Sequence, residues 1–90
     1  MGKKGEEVEK SVIFTVQAGA FKNASYAEAL MAWLKEKGYS AYMTLSESKE
    51  GGKLYKVYIG KFTERDEAKT ISEKIRNNEG IQTFVTSLQP

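Results

Sequence analysis

The segment FTVQAGAF, residues 14–21, decides the fold because it recurs 41 residues further along the chain as YKVYIGKF, residues 55–62. Both segments are rich in β-branched and aromatic side chains, and both finish with glycine, one further residue and phenylalanine. Side chains of this kind are typical of strands, and glycine permits a bend in the backbone. Each segment therefore predicts a strand followed by a turn.

A helical pattern follows each of these strands. Apolar residues recur there at steps of three and four, at Ala27, Leu30 and Leu34 and again at Ala68, Ile71 and Ile75. This spacing forms one apolar stripe on a helix. Ser25 and Thr63 are the predicted N-caps, and Gly38 and Gly80 are expected at the C-terminal ends. The sequence thus predicts helices near residues 24–37 and 64–77.

The repeat extends to a closing strand in each copy, and a polar Gly-Gly loop at residues 46–53 is suited to a hairpin between the copies. The predicted strands lie near 12–18, 39–45, 53–59 and 81–87. We therefore expect an α+β fold of order βαββαβ, ferredoxin-like or RNP-like, with a four-stranded antiparallel sheet and both helices on one face.

One domain, residues 11–88, accounts for the chain. Its two repeats cover about 12–45 and 53–88, and residues 1–10 are predicted to be a disordered lead-in or a vector-derived remnant. Ninety residues are enough for one modest core. No apolar run is long enough to span a membrane. We also expect the domain to be a monomer.

Alternation along the strands predicts which face each side chain occupies. The residues expected to face the helices are Val12, Phe14, Val16, Ala18, Tyr55, Val57 and Ile59. The opposite face, here named the open face, is expected to carry Ile13, Thr15, Gln17, Tyr42, Thr44, Leu54, Lys56, Tyr58, Gln82, Phe84 and Thr86. Lys56 is the single charge predicted there. Truncation of solvent-facing Thr15 should cost little stability, whereas truncation of Leu34 should remove a core side chain.

Composition excludes several kinds of chemistry. The chain has no cysteine and no histidine, so thiolate metal sites and Ser-His or Cys-His nucleophiles are absent from it. The only arginines, Arg65 and Arg76, lie on the second predicted helix rather than in a phosphate loop such as acyl phosphatases need. The acidic residues fall on the tail, the hairpin loop and the outer helix faces, without the paired carboxylates of a glycosidase. We predict no catalytic residues, no metal and no cofactor.

The chain resembles the sporulation-related repeat (SPOR) domain over about residues 12–87. The resemblance rests on VQAGAF and VYIGKF, residues 16–21 and 57–62, with KGYSAY at residues 37–42 between them. It departs from the family at Ala20, often serine, at Lys56, often arginine, and at Lys61, often proline.

The resemblance implies non-catalytic binding of bacterial cell-wall peptidoglycan through the open face. The expected partners are glycan strands without stem peptides, which would bring a larger secreted or membrane-anchored protein to the division septum, in the periplasm or on the wall side of the envelope. The alternation along the strands and the resemblance together give the predicted glycan-binding residues: Ile13, Thr15, Gln17, Ala20, Tyr42, Leu54, Lys56, Tyr58 and Phe84.

Two other functions remain open at the level of sequence. RNA-recognition motifs share this topology and stack bases on sheet aromatics, but the segment from Lys53 lacks the glycine of their third-strand signature. With 14 basic against 12 acidic residues, the net charge of +2 is too small to indicate a polyanionic partner, and we expect no nucleic acid. A protein-docking module is the other alternative, since exposed apolar faces also bind proteins.

Overall fold

The computed structural model describes residues 12–88, so the predicted lead-in at residues 1–10 lies outside the described residues. The elements are β1 (Ile13–Phe21), α1 (Ala24–Glu36), β2 (Ala41–Glu47), β3 (Lys53–Phe62), α2 (Arg65–Glu79) and β4 (Phe84–Leu88). The strands form one antiparallel sheet in the order β2-β3-β1-β4. The predicted βαββαβ fold is confirmed, and β1 and β3 are the central strands.

Both helices pack on the same face of the sheet, because their buried residues belong to one apolar cluster. That cluster comprises Val16, Ala27, Leu34, Ala41, Val57, Ile59, Ala68 and Ile75. Leu34 and Ile75 occupy equivalent positions in the two repeats, and both side chains are fully buried. Val12 was predicted to face the helices, but it precedes β1 and is 38% exposed.

The N-caps of both helices are residues other than those predicted. The side chain of Asn23, not Ser25, caps α1: its Oδ1 accepts hydrogen bonds from the backbone N–H of Ser25 at 2.9 Å and from the Ser25 hydroxyl at 2.6 Å. At α2 the N-cap is Glu64, without a side-chain hydrogen bond, rather than Thr63. An aspartate or asparagine two residues away competes well with serine for this role, which explains the error at α1.

The predicted glycines do end the helices. In α1 the N–H of Gly38 donates to the carbonyl of Lys35 and the N–H of Tyr39 donates to the carbonyl of Leu34. This is the Schellman arrangement, and Gly38 adopts the left-handed φ of +96° that it requires. Because Tyr39 takes part in this turn, β2 begins at Ala41 rather than at the predicted residue 39.

The two central strands run past the glycines that were expected to end them. Pairing of β1 with β3 continues to Phe21↔Tyr55 at one end and to Phe14↔Phe62 at the other. Register shifts make this possible, one between Gln17 and Gly19 and one between Phe14 and Val16. The first places the extra residue on β1, and the second places it on β3 near Gly60, whose φ is +73°.

Each β-bulge reverses the alternation of side chains beyond it. Gly19 pairs with core-facing Val57, so Ala20, which pairs with Lys56, lies on the open face and Phe21 turns toward the helices. Simple parity from Val16 would have placed Ala20 among the core-facing residues. The bulge therefore explains why Ala20, predicted to bind glycan from the resemblance alone, can belong to the open face.

Candidate functional site

Four residues form one continuous row across the open face. Cross-strand pairing joins Tyr42 to Tyr58, Tyr58 to Gln17, and Gln17 to Phe84, so all four strands contribute. Three spacings between neighbouring strands give a row about 14 Å long. The row is uncharged, and it combines three aromatic rings with one amide.

The other predicted site residues lie in rows beside this one. Ala20, Lys56 and Thr44 are partners on one side, with Leu54 beyond them opposite Ser46. On the other side Thr15 pairs with Thr86, and Ile13 pairs with Leu88. The register thus brings all nine predicted residues to the open face, although their exposure to solvent differs widely.

The aromatic residues of the row are not equally accessible. Phe84 is 55% exposed, whereas Tyr58 is only 8% exposed. Tyr58 lies beside Tyr42, with ring centroids 5.6 Å apart and a tilt of 41° between the rings. Tyr58 therefore leaves little of its ring free for a ligand, and Phe84 is the ring of this row most open to contact.

Thr15 is also buried, contrary to the sequence-based expectation. Its side chain has no exposed area, and its hydroxyl donates to the carbonyl of Gly60 at 2.6 Å, with the carbonyl of Ile59 at 3.1 Å as a second acceptor. The hydroxyl of Tyr42 donates to Thr15 Oγ1 at 3.0 Å. Thr15 therefore fixes Tyr42 above the bulge at Gly60, and its own hydroxyl is not free to contact a ligand.

The environment of Tyr42 favours its protonated form further. Burial raises the pKa of its hydroxyl above the ordinary value of 10.0, with a smaller opposing effect of the hydrogen bond to Thr15 and a further upward effect from Tyr58. At neutral pH this tyrosine is thus a neutral hydrogen-bond donor, as the geometry of its bond to Thr15 requires.

Lys61 adds a second charge to the open face, one that the alternation of side chains did not predict. Its ammonium lies 5.1 Å from the centroid of the Tyr42 ring. The bulge on β3 accounts for this position. Ile59 and Phe62 both pack toward the core, and two residues rather than one lie between them, so Lys61 is on the open face. The prediction of Lys56 as the single charge of the open face is therefore wrong.

The sequence profile described as the SPOR domain matches residues 10–87. This chain belongs to the SPOR domain family. A comparison with curated protein sequences finds no significant match.

Two solved structures are similar to this SPOR domain. One is the solution structure of the peptidoglycan binding domain of the B. subtilis cell wall lytic enzyme CwlC, with 33% identity and a TM-score of 0.70 over 88% of this chain and 92% of that one. The other is the Spor protein DedD, with 25% identity and a TM-score of 0.66, where the match covers 88% of this chain but 40% of that one.

Outside the open face, the SPOR domain has a cleft of about 610 Å³ between the C-terminal end of α1, the end of β3 and α2. Glu79 is the one acidic residue among the described residues that line it. Its carboxylate lies 3.8 Å from Lys37 Nζ and accepts a hydrogen bond from Tyr39 at 3.3 Å. One engaged carboxylate does not form the pair that glycoside hydrolysis needs.

Residues 12–88 contain no cluster of three or more acidic side chains placed to hold a metal ion. Neither helix in this part of the chain has the length and apolarity to cross a membrane.

Proposed function

We propose that this SPOR domain binds peptidoglycan without catalysis, through its open face. The ligand is the glycan strand from which stem peptides have been removed. In this role the domain brings its parent protein, secreted or membrane-anchored, to the division septum within the bacterial cell envelope.

The row Tyr42–Tyr58–Gln17–Phe84 is the observation that carries this proposal. It lies on the face of the sheet that the helices leave uncovered. A solved structure with 33% identity to this chain is a peptidoglycan binding domain. Its length of about 14 Å suits a few linked sugar rings rather than a single one.

The chemistry of the row suits a neutral, polyhydroxylated polymer. Phe84 offers an exposed apolar ring on which the C–H face of a sugar can lie. Gln17, its partner in the sheet, has an amide that both donates to and accepts from hydroxyl and N-acetyl groups. Tyr58 forms the floor between Gln17 and Tyr42 rather than a free stacking surface.

Removal of stem peptides matters because it frees a charge on the glycan. Each stripped disaccharide carries a lactyl carboxylate, and Lys56 lies one row away from Gln17 and Tyr58. A lysine ammonium is a compact point charge that can pair with such a group. An intact stem peptide converts the same carboxylate to an amide and adds bulk above a flat face.

Nucleic acid is a weaker candidate for the open face. Two lysines, Lys56 and Lys61, are few for a surface that neutralises successive phosphates. Binding to glycan should accordingly weaken only mildly as salt rises, whereas binding to single-stranded RNA should fall steeply with salt. Titration of both ligands at two salt concentrations separates the two functions.

A sedimentation assay with purified cell-wall sacculi tests the proposal, with sacculi used before and after enzymatic removal of stem peptides. We expect the domain to bind the stripped sacculi more tightly. The Gln17→Glu variant should lose about 1–3 kcal/mol of binding, because it removes both amide donors and adds a charge that repels the lactyl group. Phe84→Ala should lose a similar amount, the scale of a lost aromatic contact.

Glu73→Ala is the matched control, since Glu73 is exposed on α2, on the other side of the molecule. It should bind as the parent does. Full binding by folded Gln17→Glu and Phe84→Ala variants would contradict the proposed face, and equal binding to intact and stripped sacculi would contradict the proposed ligand.

A further inference from the structure

The ammonium of Lys61 lies over the ring of Tyr42, at the end of the row that crosses the open face. We propose that Lys61, held in this place, binds a carboxylate of the ligand and makes the domain selective for glycan whose carboxylates are free. This inference rests on the proposed function, and it assigns a specificity-determining residue to the same face.

The backbone sets the direction of Lys61. Between Ile59 and Phe62 the strand β3 contains one more residue than its partner β1, and the left-handed conformation of Gly60 accommodates it. Without this bulge, a residue two positions from Ile59 would point toward the helices. With it, Lys61 crosses to the open face while Phe62 remains packed against the core.

Two side chains, Tyr42 and Thr15, form the support of the ammonium. Thr15 donates to the carbonyl of Gly60 and accepts from Tyr42, so the ring beneath Lys61 is fixed to the bulge that carries Lys61. A lysine already held over an aromatic ring loses less conformational freedom when it pairs with an anion than a freely moving one does.

The ammonium is available for such a pair. Lys61 is exposed, and among residues 12–88 no carboxylate lies within 4.0 Å of it. The one ion pair found in this part of the chain joins Lys37 to Glu79 instead.

Lys56 and Lys61 flank the row on opposite sides. Lys56 pairs with Thr44 and Ala20 in the row on one side, and Lys61 lies at the bulge beyond Tyr58 on the other. A strand of glycan lying along the row would thus have a cation on either side. Only Lys61 has an aromatic support, which is why we assign the selectivity to it rather than to Lys56.

The test compares two forms of one ligand. Soluble stripped glycan strands are used with free lactyl carboxylates and, in parallel, after chemical conversion of those carboxylates to amides. The parent domain should prefer the free form by about two- to fivefold, the range expected of an exposed charge pair. Lys61→Gln should weaken binding to the free form by about the same factor and leave binding to the amidated form unchanged.

Two variants and one control sharpen the result. Lys61→Arg should retain the preference, and Lys56→Gln should change it less than Lys61→Gln does. Lys74→Gln, a matched change at an exposed lysine on α2, should have no effect. All variants should melt at the temperature of the parent.

Equal weakening of both ligand forms by Lys61→Gln, or no weakening of either, would overturn the role of Lys61 while leaving the glycan site in place. Absence of binding by the parent to both forms would instead overturn the proposed function, and with it this inference.

Discussion

In the first repeat the extra residue of the β-bulge lies between Gln17 and Gly19 of β1. In the second repeat the extra residue lies on β3, near Gly60. Gly60 has a φ of +73°, and Gly19 does not adopt a positive φ. In both repeats the residue after the glycine reaches the open face, and the following phenylalanine packs with the core. Two different backbone solutions therefore give the same exchange of faces.

The repeats equip the open face differently at equivalent positions. Thr15 corresponds to Lys56, Ala20 to Lys61, and Tyr42 to Phe84. Tyr42 of the first repeat is hydrogen-bonded to Thr15 and lies under Lys61, which comes from the second repeat. Phe84, the equivalent of Tyr42 in the second repeat, is 55% exposed. Repetition of one unit has thus produced a fixed, charged corner and an open, apolar one.

The helix-facing sides of the repeats differ as well. The hydroxyl of Thr83 donates to the carbonyl of Ser72 at 3.0 Å, and the two side-chain oxygens lie 2.8 Å apart, with both residues buried. The first repeat has Met31 and Ala41 in the equivalent positions, which pack by apolar contact alone. A buried polar pair is tolerated in the second repeat because its members satisfy each other.

The largest expected effect tests whether the two halves share one core. Leu34→Ala and Ile75→Ala should each lower the free energy of unfolding by about 2–5 kcal/mol, because both side chains are fully buried equivalents. Urea unfolding followed by circular dichroism measures it. A variant that unfolds like the parent would show that its repeat contributes little to the common core.

A smaller effect separates the two bulges. An added Cβ at Gly60 would lie 2.5 Å from the Phe62 ring and would also oppose the positive φ, while at Gly19 it would lie 2.8 Å from the Phe21 ring without that backbone penalty. We expect Gly60→Ala to cost about 1–3 kcal/mol and to cost more than Gly19→Ala.

Gly51→Ala is the control for these glycine variants, since Gly51 has a φ of +87° but an added Cβ there would meet no atom within 4 Å. It isolates the cost of the backbone conformation from that of the clash. If Gly19→Ala proved the more damaging change, the contrast between the two bulges would be wrong.

The smallest expected effect concerns the hydrogen bonds beneath Tyr42. Thr15→Val keeps the shape of the side chain but removes the hydroxyl, and it should cost about 0.5–1.5 kcal/mol of stability, as should Tyr42→Phe. The double variant should cost less than the sum of the two, because the residues share one bond. Thermal unfolding of the four proteins gives this coupling, and strict additivity would argue against the bond.

Most of the fold of this protein could be predicted from its sequence alone. The repeat of residues 14–21 at 55–62, the apolar stripes of both helices and the glycines after them were enough for the fold, because strands and helices each impose a fixed spacing on apolar residues. The same alternation placed Gln17, Tyr42, Tyr58 and Phe84 on one face, and the pairing of the strands puts them in one row.

Only the tertiary structure decided how accessible these side chains are and where Lys61 points. Alternation holds only until a bulge, and a glycine in the sequence shows that a bend is possible without showing which face the next residue takes. The buried hydroxyl of Thr15 accepts a hydrogen bond from Tyr42, 27 positions away on another strand. Contacts between residues so distant along the chain have no local signature, so local patterns gave the framework and the packed sheet gave the site.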